Sequence, residues 1–275
     1  METGNEKQEK WYESMTIKMI LIAIMGLMLL IPLALIMEVI RERSANAESA
    51  RTEIGQLWAS AQTVTGPVLN VPGTRVIAND GTFVTTTMHI LPGELGVNGV
   101  LEPEMRYRGI YETVVYDSEM EISGSITIAG FEQLNDYTWQ WDKAYISLGV
   151  SDNKGISDKA ELSIGGRVIS AIPGAGQTDL FEKGISFPYA VDPSKLTESG
   201  GEFSLKLGLR GSSSVAFSPV GQTTKVALSS KWNAPSFTGN FLPAERDVTD
   251  TGFTASWVVT HLNRSFPQVW EGKRY

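Results

Sequence analysis

From Met19 to Met37 the chain reads MILIAIMGLMLLIPLALIM, nineteen residues without a charge or a strongly polar side chain, bracketed by Lys18 and Glu38. With Ile17 and Val39 added, a helix of this length crosses a hydrocarbon layer of roughly 30 Å at about 1.5 Å per residue. A core helix of a soluble protein is seldom apolar on every face for so long, because one side of it ordinarily meets water. Gly26 and Pro32 would weaken a soluble helix, but inside a bilayer neighbouring groups re-satisfy the backbone around such residues. The sequence therefore predicts a polar cytoplasmic leader over residues 1–15 and one transmembrane helix over residues 16–40. Ala45-Asn46-Ala47 has the small-x-small form of a signal cleavage site. The charged stretch from Glu38 to Arg43 separates it from an apolar run already longer than a signal h-region, so the segment reads as an uncleaved signal anchor.

Flanking charge does not orient this helix: Lys7, Lys10 and Lys18 precede it, and Arg41, Arg43 and Arg51 follow it. Long domains translocate with little regard to such charges, which places the N-terminus inside and the bulk of the chain outside the cytoplasm. The expected localisation is the bacterial inner membrane, single-pass in this chain, with the lipid bilayer as first partner and the remaining domain in the periplasm. A net charge of −8 over 275 residues argues against a nucleic-acid partner, which would need a basic patch. With no cysteine there is no disulfide framework, thiolate metal site or cysteine nucleophile, and a domain of roughly 200 residues is large enough to do without staples.

Beyond the anchor, Ile40, Ala47, Ala50, Ile54, Leu57, Trp58 and Ala61 recur at helical spacing, predicting a juxtamembrane helix over residues 41–63 that Gly66-Pro67 stops. From residue 64 to 275 the pattern changes to period two. Met120, Ile122, Ile126 and Ile128 face one way and Glu119, Glu121, Ser123, Ser125 and Thr127 the other, so Tyr116 to Ile128 reads as a strand with one buried and one wet face. Phe203 to Leu209 and Phe253 to Trp257 repeat the alternation. Shorter candidates are Val68 to Ala78, Phe83 to Leu91, Tyr145 to Val150, Leu162 to Ile169, Ile185 to Tyr189 and Lys225 to Trp232, with Asn79-Asp80-Gly81 as a hairpin turn. The expected fold is mainly β: an antiparallel sandwich-like or open-barrel extracytoplasmic domain preceded by one transmembrane α-helix.

The chain has no G-x-S-x-G elbow, P-loop, H-E-x-x-H or dinucleotide fingerprint. Its two histidines, His89 and His261, lack acidic or histidine neighbours at ligand spacing and read as ordinary hydrogen-bonded or surface residues. Asp117, Glu119 and Glu121 have the composition of a cation site or a glycosidase pair, but their alternation puts them on a solvated sheet face. Asp152-Asn153-Lys154-Gly155 lacks the further ligands of a calcium loop and reads as a turn. Trp139 and Trp141 share one face of an expected strand, where flat rings would suit a sugar. No catalytic, cofactor-binding or metal-ligating residue is assigned, and no cofactor is implied.

The stretch LSSKWNAPSFTGNFLPAERDVTDTGFTASW, Leu228 to Trp257, closely resembles the corresponding segment of the CreD family of bacterial inner-membrane proteins, through Gly239, Phe241-Leu242-Pro243, Arg246, Val248, Gly252-Phe253 and Trp257. GPVLNVP at Gly66 to Pro72, GIYETVVYDS at Gly109 to Ser118, GVSDNKGIS at Gly149 to Ser157 and VIRERS at Val39 to Ser44 agree in the same order. The resemblance implies an N-terminal membrane helix, a periplasmic β-rich domain and then several more membrane helices, of which this chain, ending at Tyr275, holds only the first; a truncated or incomplete product is the expectation. It also implies a role in cell-envelope integrity or stress response. Asn240-Phe241-Leu242-Pro243 reads as a rigid connection with large apolar anchors, and Glu245-Arg246-Asp247 as a local ion pair or cap. The motif would equally serve as a docking surface for the missing membrane helices or other envelope proteins. The leading expectation is thus a non-enzymatic inner-membrane protein of the CreD type. The alternatives are a signal-anchored periplasmic carbohydrate- or peptidoglycan-binding module, resting on the tryptophans, and a hydrolase resting on Asp117, Glu119 and Glu121.

Overall fold

The computed structural model describes residues 15–76, 83–128, 137–176, 178, 180–198, 200–264 and 266–272. The leader and the Asn79-Asp80-Gly81 turn lie outside the described residues. Along the chain run α1 (Met15–Leu57), β1 (Gln62–Val76), β2 (Phe83–Ile90), β3 (Glu94–Arg108), β4 (Tyr111–Ile126), β5 (Thr138–Trp139), β6 (Tyr145–Val150), β7 (Ile156–Ile164), β8 (Arg167–Ser170), β9 (Ile172–Pro173) and β10 (Gly184–Pro188). After these come α2 (Pro193–Glu198), β11 (Gly201–Ser212), β12 (Val215–Ser218), β13 (Thr223–Ser230), β14 (Glu245–Thr249), β15 (Gly252–Thr260) and β16 (Val269–Glu271). The chain divides into two compact units between Arg51 and Thr52.

The first unit carries the apolar run. Helix α1 continues through Gly26 and Pro32, and the window long and apolar enough to cross a membrane has none of its residues buried in the protein. Leu21, Leu27, Ile31 and Leu35 all stand open to the surroundings, which suits lipid rather than water.

The second unit is a two-layer β fold. One sheet has the order β16-β2-β1-β6-β10-β9, with β5 and β12 also on β1; the other runs β14-β15-β13-β3-β4-β11-β7-β8. Neighbours are antiparallel except β1 with β12 and β13 with β3. Leu69, Ile90, Ile146 and Phe187 from the first sheet and Ile122, Leu162, Leu205 and Leu207 from the second share one hydrophobic core. In the second sheet the alternation read from the sequence holds, with Met120 and Ile122 buried and Glu119 and Glu121 exposed. The first sheet is covered on its second face as well. There Phe181 lies where a side chain on Gly149 would stand, 2.3 Å from that position, so β1 and β6 carry near-continuous buried runs rather than alternation.

Three expectations need correction. The juxtamembrane helix does not reach residue 63: α1 ends at Leu57, Trp58 N–H still reaches the Ile54 carbonyl at 2.9 Å, and then Asp152 captures Ser60 and turns the chain into β1. Gly66-Pro67 stops no helix; it sits inside β1 where the register against β6 shifts between Thr65 and Val68, as a residue without a backbone donor fits a bulge. Leu162 to Ile169 is no single strand but the β7–β8 hairpin, closed by Gly165 and Gly166 at φ +56° and +73°. A two-residue turn with both centres at positive φ favours glycine.

Candidate functional site

Each residue singled out by its chemistry has a definite place. His89 is buried, its Nδ1 2.7 Å from Asn70 Oδ1 and its ring tilted at 34° to that of Trp270, 5.0 Å between centroids; Asn70 Nδ2 donates to Ser147 Oγ at 2.7 Å and to the Val68 carbonyl at 3.0 Å. This polar row is closed to solvent. His261 is exposed at the start of a short 3₁₀ turn. Trp139 lies against Gly73, within 2.5 Å of where a side chain would begin, and Trp141 opens a separate 3₁₀ turn; both pack on the core. The expected platform of two rings on one strand is therefore not formed. Among the described residues no group of three or more histidines and carboxylates is placed to hold a metal ion.

The GVSDNKGIS stretch is a clasp. Asp152 caps the 3₁₀ turn Asn153–Gly155 by accepting from Lys154 N–H, and the same carboxylate accepts from the N–H and hydroxyl of Ser60 at 3.1 Å each. Partial burial works to raise the pKa of Asp152. The Ser60 and Lys154 N–H donors, the Ser60 hydroxyl and the Lys154 charge outweigh it and hold the carboxyl below its ordinary range. Buried Gln62 joins the same clasp: its Nε2 donates to the carbonyls of Asp152 and Arg210 at 3.0 Å, and its Oε1 accepts from Asp152 N–H at 3.2 Å. Beside it, the guanidinium groups of Arg106 and Arg210 each lie over the Trp58 ring, 5.1 Å from its centroid, and Arg210 pairs with Asp117 at 2.9 Å. Asp117 is thus part of the joint between the end of α1 and the sheet.

Glu119 and Glu121 have a different setting. The outer face of the second sheet is concave and encloses about 1000 Å³. Register places two neighbouring rows along it. One runs Asp247, Thr254, Ser229, Val100, Glu119 and Gly208, from β14 to β11. The next runs Glu245, Ser256, Ala227, Asn98, Glu121, Lys206 and Glu161, from β14 to β7. Side chains of one strand parity share a face, so both rows project to the same side. The middle of the trough is floored by small or short residues, and carboxylates stand at both ends. Glu245-Arg246-Asp247 is accordingly an edge strand, β14, and not a cap or local ion pair; its two acids line the trough. The floor residues Asn98 and Val100 lie on β3, which pattern reading missed because Gly96, Gly99 and Pro103 interrupt it. The Glu-x-Glu at 119–121 and the Glu-x-Asp at 245–247 are the sequence signal that would have found both walls.

Next to this edge, Phe237 meets Phe253 and Trp257 edge-on at 5.7 and 5.8 Å, and Trp257 Nε1 donates to the Phe241 carbonyl at 3.2 Å. Half-buried Phe237 and Phe241 thus fasten the loop before β14, whereas Leu242 is 73% exposed and anchors nothing.

The family described as inner membrane protein CreD matches residues 14–275. The chain is 29% identical over 237 residues to inner membrane protein CreD of Escherichia coli (strain K12), an alignment covering 84% of this chain and 52% of that protein. The chain thus spans about half the length of the curated relative it matches. No solved structure matches it.

Proposed function

The chain belongs to the CreD family of inner membrane proteins, and on that premise we propose that it is a non-enzymatic, membrane-tethered binding module of the cell envelope. Helix α1 holds it in the inner membrane, the two-sheet domain stands on the periplasmic side, and it supports envelope integrity or stress response. The observation that carries this reading is the trough: a long concave sheet face with a small-residue floor, suited to receiving a partner surface. Catalysis would need a nucleophile with its base, or paired acids around an enclosed reacting centre. The buried Asn70–His89–Ser147 row is out of reach of substrate, and Asp117 is engaged by Arg210. The carbohydrate alternative lacks its ring platform, since Trp139 packs on Gly73 and, among the described residues, no aromatic side chain lines the trough.

The test is genetic. Deletion is expected to sensitise cells to detergent and to raise an envelope-stress reporter, and the wild-type gene to restore both. The Ala227→Trp variant, which fills the trough floor, is expected to be present in the membrane at normal level and to fail to complement. A deletion without effect on either readout, or full complementation by Ala227→Trp, sinks the proposal.

A further inference from the structure

We propose that the trough receives an extended, lysine- or arginine-rich segment of a partner protein lying across the strands. This names the partner of the binding module just described and rests on that reading.

Size argues first. From β14 to β4 there are four strand spacings, about 19 Å at roughly 4.8 Å each, a length covered by about six residues of extended chain. A volume of about 1000 Å³ is far more than one metal ion fills.

Charge argues next. Among the described residues the trough is lined by the carboxylates of Glu121, Glu161, Glu245 and Asp247 and by Lys206 and Arg246, with Glu119, which has a contact of its own, beside them. Arg246 has the opposite parity to Glu245 and Asp247 on β14, and Lys206 stands opposite both Glu121 and Glu161. The acids sit in two groups at the ends, and the floor between them is Val100, Ala227 and Ser229. A segment with basic side chains near both of its ends meets both walls, while short residues between them lie over the floor. The side chains of Asn98 and Ser256 on that floor offer hydrogen bonds to its main chain.

Chemistry excludes the rivals. A sugar finds no ring to stack on among the described residues, none of the trough's lining side chains being aromatic. Nucleic acid and anionic headgroups meet like charge. Because the walls are open to solvent, attraction will be salt-sensitive, and specificity must come from the fit to the floor.

The experiment uses the full chain in nanodiscs of zwitterionic phosphatidylcholine and a fluorescein-labelled synthetic peptide of about a dozen residues with alternating lysine and serine, read by anisotropy. Saturable binding is expected, weakening as salt rises, and absent for the same peptide with acetylated lysines or with glutamates in place of lysines. Glu245→Gln with Asp247→Asn should weaken it by roughly tenfold or more, as should Ala227→Trp, which leaves the charge intact. Glu112→Gln, an exposed carboxylate outside the trough, should leave it unchanged. Val100→Tyr blocks the same floor from the neighbouring strand if Ala227→Trp proves unstable in a melting control. The inference is overturned if binding is not saturable, if both blocking variants bind as tightly as the parent, or if spermine displaces the peptide at equal charge concentration, which would assign the trough to small cations. Absence of peptide binding alongside failed complementation by Ala227→Trp rejects this partner and leaves the binding-module reading standing. Peptide binding alongside full complementation rejects that reading instead.

Discussion

Gln62 is the residue on which the clasp at the start of β1 turns. Only 1% exposed, it spends both ends of its amide on main-chain groups of Asp152 and Arg210, which a shorter side chain would leave buried without partners. Gln62→Ala should therefore destabilise the domain by about 2–4 kcal/mol, read as a lower denaturant midpoint of the solubilised chain. Crowding reinforces the point: a side chain on Gly155 would begin 2.4 Å from Gln62 Nε2 and 2.2 Å from the Arg210 carbonyl. Asp152 adds a pH dependence of known sign. Its folded pKa lies below the unfolded value of about 3.9, so its contribution is complete above that pH and is lost as the pH falls through the folded pKa. The stability gap between the parent and Asp152→Asn should be constant near neutrality and close in acid below about pH 4; a gap that widens in acid would refute the assignment. None of this was legible in the sequence. Reading the SDNKG stretch as a turn was right, but a turn's long-range partners, Ser60 and Gln62, leave no local pattern.

Elements were legible where one face is wet. β4, β11, β13 and β15 alternate because the outer face of their sheet meets water, and the period-two pattern found all four. β3 escaped although it is central. Its pairing with β13 ends at Leu101, so Pro103, beyond that point, deprives no neighbour on that side of a donor; the sequence shows the proline but not the end of the pairing. β14 escaped because all five of its residues are exposed and it has no buried period to read, which hid one wall of the trough. At the other border, the end of α1 is fixed by tertiary contacts more than by a breaker. Arg106 of β3 and Arg210 of β11 each lie over the Trp58 ring, and its Nε1 points to the Tyr116 carbonyl at 3.5 Å. Trp58→Ala removes two cation–π contacts worth about 0.5–1 kcal/mol each and should lower the thermal midpoint, whereas Trp58→Phe, which keeps a ring face, should recover most of the loss. Equal midpoints for the two variants would show that the ring face is not what Arg106 and Arg210 use.

At the scale of the whole molecule the firmest sequence reading was also the simplest: a helix apolar on every face, with none of its membrane-length window buried by the protein. What the helix alone does not fix is which way the chain crosses, because three lysines precede it and Arg41, Arg43 and Arg51 follow it within the same reach. With flanking charge balanced, the proposed orientation rests on the domain of more than 200 residues that follows, since long domains cross with little regard to local charge. Alkaline phosphatase fused after Ser157 should therefore be active in intact cells, and a fluorescent protein that matures only in the cytoplasm, fused at the same point, should stay dark. If domain length rather than local charge sets the orientation, replacing Glu38 and Glu42 with lysine, or Arg41 and Arg43 with glutamine, should each leave phosphatase activity close to the parent level. Phosphatase activity lost in the parent fusion would put the two-sheet domain, and its acidic trough with it, on the cytoplasmic side.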